Sequence, residues 1–97
     1  MNPFFEEFAA ALAAQSKQRG ATIASPKLEP KTANELLELA RVVAHTQERK
    51  FAPLACYLAG IAAARAQTQN PDIDLTSLFN AVRTSFERQE DSSNKNV

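Results

Sequence analysis

The chain has 97 residues, 11 basic and 11 acidic side chains, one cysteine, two glycines and no tryptophan. That length suits one domain with one core, and a hydrophobic content of 44% argues against a disordered chain. A formal charge of zero removes the case for nucleic acid or anionic membrane as partner, since both require surplus Lys and Arg.

Asn2 and Pro3 announce the first helix as N-cap and first helical residue. Glu6 and Glu7 complement the dipole, and Phe5, Phe8, Ala9 and Leu12 recur at the spacing of one buried face. Gly20 is a natural left-handed stop, so the predicted helix covers residues 3–18. Residues 20–31 hold Gly20, Pro26 and Pro30 and read as a loop, with Ile23 and Leu28 as its expected anchors.

Thr32 and Glu35 match a capping box, and the helix they open is predicted to reach about Lys50. Leu36, Leu39, Ala40, Val43 and Phe51 cluster on one side of it. Arg41, His45 and Arg49 follow one another at intervals of four on the other, near Glu38. Pro53 starts the third helix, which runs to about Gln69 before Asn70-Pro71. Its bulky face carries Leu54, Tyr57, Leu58 and Ile61, and its smooth face carries Cys56, Ala59, Gly60 and Ala63. A helix apolar all round is expected to be buried on several sides. Asp74 caps the last helix, with Leu75, Leu78, Phe79, Val82 and Phe86 as its apolar stripe. From Gln89 the sequence QEDSSNKNV has no period and is expected to be disordered. No segment alternates with period two. The prediction is an all-α, compact four-helix domain over residues 1–88 with a central apolar third helix, followed by a disordered tail at 89–97.

The run LLELARVVAHTQERKFAPLACYLAGIAAARA, from Leu36 to Ala66, resembles a small helical domain of actinobacteria. That domain occurs alone or fused behind molybdopterin-guanine dinucleotide nucleotidyltransferases, which join a guanylate to the molybdenum cofactor. The matching positions are Leu39, Ala40, Arg41, Ala44, His45, Arg49, Ala52, Pro53, Leu54, Tyr57, Leu58 and Gly60. Lys50 stands where the domain usually has proline, and Val42 where it often has an acid. The resemblance implies a cytoplasmic setting in molybdenum-cofactor synthesis and such a nucleotidyltransferase as partner. It carries over no activity.

Arg41, His45 and Arg49 are the candidate ligand-binding residues, because two guanidinium forks beside an imidazole suit a phosphate or pyrophosphate. The plainer reading is a solvated helix face, with Glu38 pairing Arg41 and Glu48 screening the arginines. His45 and Glu48 supply two metal ligands at most, so no metal is expected. No catalytic residue and no cofactor is assigned: His45 is the only histidine, and no nucleophile lies near it in sequence. Gly20 and Gly60 are too far apart for a phosphate-binding loop. Cys56 alone forms no internal disulfide and fits a reducing cytoplasm; its apolar helix suggests an inert, buried thiol. The longest uncharged stretch, Phe51–Ala64, falls short of the roughly 20 residues that span a bilayer. Glu6 and Glu7 argue against a signal peptide. Gly60 suggests close approach by another helix, either from the same chain or from a homodimer through the Cys56/Ala59/Gly60/Ala63 face. Gly60→Leu would then unfold the monomer or dissociate the dimer. The leading expectation is a non-catalytic accessory or protein-interaction domain; the alternative is a small-ligand module acting through Arg41, His45 and Arg49.

Overall fold

A computed structural model describes the backbone of residues 2–95 and the side chains of residues 2–88. It is all-α: the described residues form four helices and no strand, and the chain divides into two compact units, residues 1–30 and 31–97.

The first unit is built on α1, Pro3–Gln18. Asn2 Oδ1 accepts from the Phe4 N–H at 2.9 Å, satisfying one of the donors that a helix start leaves open. At the other end Gly20 adopts φ +91°. There the Ala21 N–H donates to Ser16 O at 2.9 Å and the Gly20 N–H to Lys17 O at 3.1 Å. This pair of bonds is a Schellman stop, which needs a left-handed residue that glycine supplies without a Cβ clash. Ala9 is buried, but Phe5, Phe8 and Leu12, expected beside it, are exposed, and so is Phe4. Phe4 instead stacks on Phe8 with ring centroids 5.7 Å apart. Of the two loop anchors, Leu28 is half-buried and Ile23 is exposed.

The second unit holds α2 (Pro30–Thr46, its first residue at the boundary), α3 (Phe51–Gln69) and α4 (Leu75–Lys95). Its buried residues, among those described, are Leu39, Val42, Ala63 and Phe79. The expected capping box does not form. Thr32 lies inside α2 with its hydroxyl 3.3 Å from that of Thr76, and Glu35 bonds to residues of α4. Partners across the unit displace the local cap. Nor does α2 reach Lys50. Thr46 Oγ1 donates back to Val42 O at 2.9 Å, and α3 begins at Phe51, two residues earlier than Pro53 suggests. Proline is tolerated in that first turn because the N–H it lacks would have no partner there. After α3, Asn70 turns the chain by accepting from the Asp72 N–H, and Asp74 caps α4 by accepting from the Ser77 N–H at 3.1 Å. Bonded pairs advance together along α2 and α4, from Thr32–Thr76 through Glu35–Asn80 to Arg41–Glu87, so these helices run parallel.

α3, expected at the centre, is most deeply buried along its small-residue face, and Ile61 on the other side is half-buried. Ala63 is buried, and Ala52, Ala55, Cys56, Ala59 and Ala66 are half-buried; the Cys56 thiol lies 4.0 Å from Leu36 O. The small side chains face inward, where they let backbones approach, and Leu54, Tyr57 and Leu58 remain exposed. Gly60 is exposed too, and a Cβ there would meet nothing within 4 Å. The close approach that its sequence position suggested is therefore absent among the described residues, and leucine there would collide with none of them. Gly60→Ala is expected to stabilise the dilute protein by about 0.5–1 kcal/mol, the helix-propensity difference. A thermal melt would show a rise of a few degrees; a fall would mean that the position is crowded. The α4 backbone is helical to Lys95, and the side chains of the expected tail, 89–97, lie outside the described residues.

Candidate functional site

Arg41 and His45 stand exposed one turn apart on α2, but Arg49 lies beyond the helix, exposed in the turn 47–50. The predicted row of three is thus a row of two. Arg41 is already engaged: its Nε donates to Glu38 Oε2 at 3.1 Å and its Nη2 to Glu87 Oε1 at 3.1 Å. Glu48, expected to screen the arginines, pairs with Lys50 at 3.4 Å.

Arg41 forms the outer end of a polar ladder between α2 and α4. Glu87 Oε1 also accepts from Arg83 Nη1 at 2.8 Å. Glu35 Oε2 accepts from Arg83 Nε at 2.9 Å, and Glu35 Oε1 from Asn80 Nδ2 at 3.0 Å. Glu35 and Arg83 are largely shielded, with side chains 18% and 16% exposed, whereas Arg41 is 43% exposed. The ladder sets three carboxylates (Glu35, Glu38, Glu87) against two guanidiniums. An anion approaching Arg41 would have to displace a carboxylate and would meet surplus negative charge. The phosphate-gripping arrangement therefore gains no support from Arg41. The ladder was missed from the sequence because on α4 only the apolar stripe was followed. Thr76, Asn80, Arg83 and Glu87, spaced by four, three and four, were the available signal of a second, polar line facing a neighbour.

The hydrogen bond from Arg83, followed by that from Asn80, holds the Glu35 carboxyl below its ordinary value against the opposing effect of burial. The bond to Glu35 likewise raises Arg83. A carboxyl lowered by folding contributes stability that is present above its unfolded pKa and lost as pH falls through the folded one. Urea midpoints of the native chain should accordingly fall on the acid side of the ordinary carboxylate range. Glu35→Gln should be less stable at neutral pH and show a shallower acid slope. An unchanged slope would mean that Glu35 is not held as described.

Burial raises the Cys56 thiol, which fits an inert, structural role. Among the described residues no group of three or more His, Cys, Asp or Glu is placed to hold a metal ion. Nor, among those residues, is any helix long and apolar enough to cross a membrane. In the first unit, α1 and Ser25–Glu29 border an open groove of about 640 Å³ floored by Phe5, Phe8 and Ala9. None of the sequence-predicted site residues lies in it.

Besides the exposed aromatic residues of α1, a second exposed apolar surface is the outer side of α3. Leu54, Tyr57 and Leu58 are 61%, 70% and 65% exposed, within the uncharged stretch Phe51–Ala64. The two faces of this helix were legible in its sequence, but which one turns outward was not.

No curated protein and no solved structure matches the chain. The family model of a domain of unknown function, DUF6457, matches residues 1–94. That match spans nearly the whole sequence, and the chain belongs to the DUF6457 family.

Proposed function

We propose that this chain is a non-catalytic accessory domain that acts by docking protein through the outer face of α3. What supports the reading is the exposure of Leu54, Tyr57 and Leu58 side by side on a helix surface without charge. Single apolar residues are ordinary on a surface, whereas contiguous ones mark interaction sites. The proposed setting is cytoplasmic molybdenum-cofactor synthesis, with a molybdopterin-guanine dinucleotide nucleotidyltransferase as partner. The support for it is the resemblance carried by Leu36–Ala66.

The test is a calorimetric titration of the full chain into such a purified nucleotidyltransferase. Saturable binding with a Kd on the order of 10 µM is expected for a small interface. Replacing Leu54 and Leu58 together by Glu should weaken it at least about tenfold. Absence of binding at roughly 300 µM would overturn this choice of partner.

A further inference from the structure

The reading above leaves open what covers α3 in the protein by itself. We propose that a second copy of the chain docks there, its α3 antiparallel to the first about a two-fold axis near Ile61.

Leu54, Tyr57, Ile61 and Ala64 follow one another at intervals of three and four along the outer side of α3, with Leu58 and Arg65 on one flank and Gly60 on the other; of the four, Ile61 is half-buried and the rest are exposed. The line alternates in bulk. Tyr57 and Leu58 project from the surface, while Gly60 offers an open hollow. A parallel pairing would set like against like. It would put Tyr57 on its own counterpart, the hollow on the hollow, and Arg65 against Arg65. An antiparallel pairing centred on Ile61 sets bulk against hollow instead. Tyr57 then faces Ala64 and Arg65 of the second copy, Ile61 faces Gly60 and Ile61, and Leu54 faces Thr68.

Charge selects the same arrangement. Arg65 is the first charged residue after the uncharged stretch, and the antiparallel pair brings its guanidinium over the Tyr57 ring, where a cation is attracted to the π face. The two Arg65 side chains start about 12 Å apart along the axis, beyond the roughly 8 Å over which charges are felt at physiological salt. No carboxylate lies on this line, so docking leaves none buried and unpaired. The exposed apolar area amounts to about 400 Å² per copy, half the roughly 800 Å² per partner of a standard interface. That area suits a reversible dimer with a Kd of roughly 10–100 µM rather than a permanent one.

This inference rests on the interaction reading, since it uses the same face, and its test separates the two. Sedimentation equilibrium of the full chain alone, from about 10 to 500 µM, should show the mass rising from 10.6 kDa toward twice that value. Leu54→Glu with Leu58→Glu should remain monomeric with unchanged helical circular dichroism, because both positions are exposed. Orientation is read by mild copper-phenanthroline oxidation in a Cys56→Ala background. Ile61→Cys, at the axis, should cross-link rapidly, whereas Leu54→Cys, about 21 Å along the axis from its counterpart, should not. A chain that stays monomeric at the highest concentration overturns the dimer, and equal cross-linking at both positions overturns its antiparallel form. If the monomeric chain still binds the nucleotidyltransferase through this face, the dimer fails and the interaction reading stands. If it binds neither, both fail.

Discussion

Replacing Phe79 with alanine is expected to cost about 3–5 kcal/mol, the usual range for removing a buried phenylalanine. Phe79 is 4% exposed and is the largest of the four buried side chains among the described residues of the second unit. Its removal forfeits the transfer energy of the ring and leaves a cavity that neighbouring helices fill only in part. Set against the 5–15 kcal/mol typical of small domains, the loss lowers the thermal midpoint by at least about 12 °C. The informative control is Val82→Ala. Val82 belongs to the same apolar stripe in sequence but is 41% exposed, so its truncation should cost under about 1 kcal/mol. Urea melts of the two variants side by side decide the matter. Equal losses would mean that α4 buries the centre of its apolar stripe and not the face the structure gives it.

The same contrast explains what could and could not be read from the amino-acid order. Helix ends written in local chemistry were legible: Asn2 caps α1, Gly20 stops it, and Asp74 caps α4, each through bonds within a few residues. Thr32 and Glu35 were not, although their spacing fits a capping box. Glu35 finds Asn80 and Arg83, 45 and 48 positions away, and those partners prevail over the local cap. The α4 wheel shows an apolar stripe, yet Thr76, Asn80, Arg83 and Glu87 also face inward to meet α2. The buried face is therefore rotated away from Val82.

The candidate site divides along similar lines. The pairing of Glu38 with Arg41 is an i,i+3 contact and was legible from spacing. The second carboxylate on Arg41 comes from Glu87, 46 positions away, and no helical wheel of α2 contains it. Arg49 left the row because α2 ends at Thr46, and helix ends are the least determinate feature of a periodic pattern. On α3 the inward face is the one with the least apolar bulk. Hydrophobicity alone would have turned Tyr57 and Leu58 inward, but small residues permit the closer backbone contact.

Val42→Asp is expected to unfold the second unit at neutral pH. Val42 is 0% exposed. A carboxylate placed there loses its water, a cost of several kcal/mol that is comparable to the whole stability of a small domain. Burial raises the pKa of such an acid in the folded state, so the variant is least impaired below the unfolded aspartate value of about 3.9. It loses about 1.4 kcal/mol for each pH unit above that, up to the folded pKa. Glu35 acts in the opposite sense at acid pH, so Val42→Asp should be most stable near pH 4 and fall away on both sides. Val42→Asn, similar in shape but without a titrating group, should keep the acid slope of the native chain and lack the neutral one. Circular dichroism melts between about pH 3 and 8 separate the two variants. An aspartate variant that melts like the native chain at neutral pH would mean that position 42 opens to water on the Glu38 and His45 side of α2, where an acid would belong to the surface and not to the core.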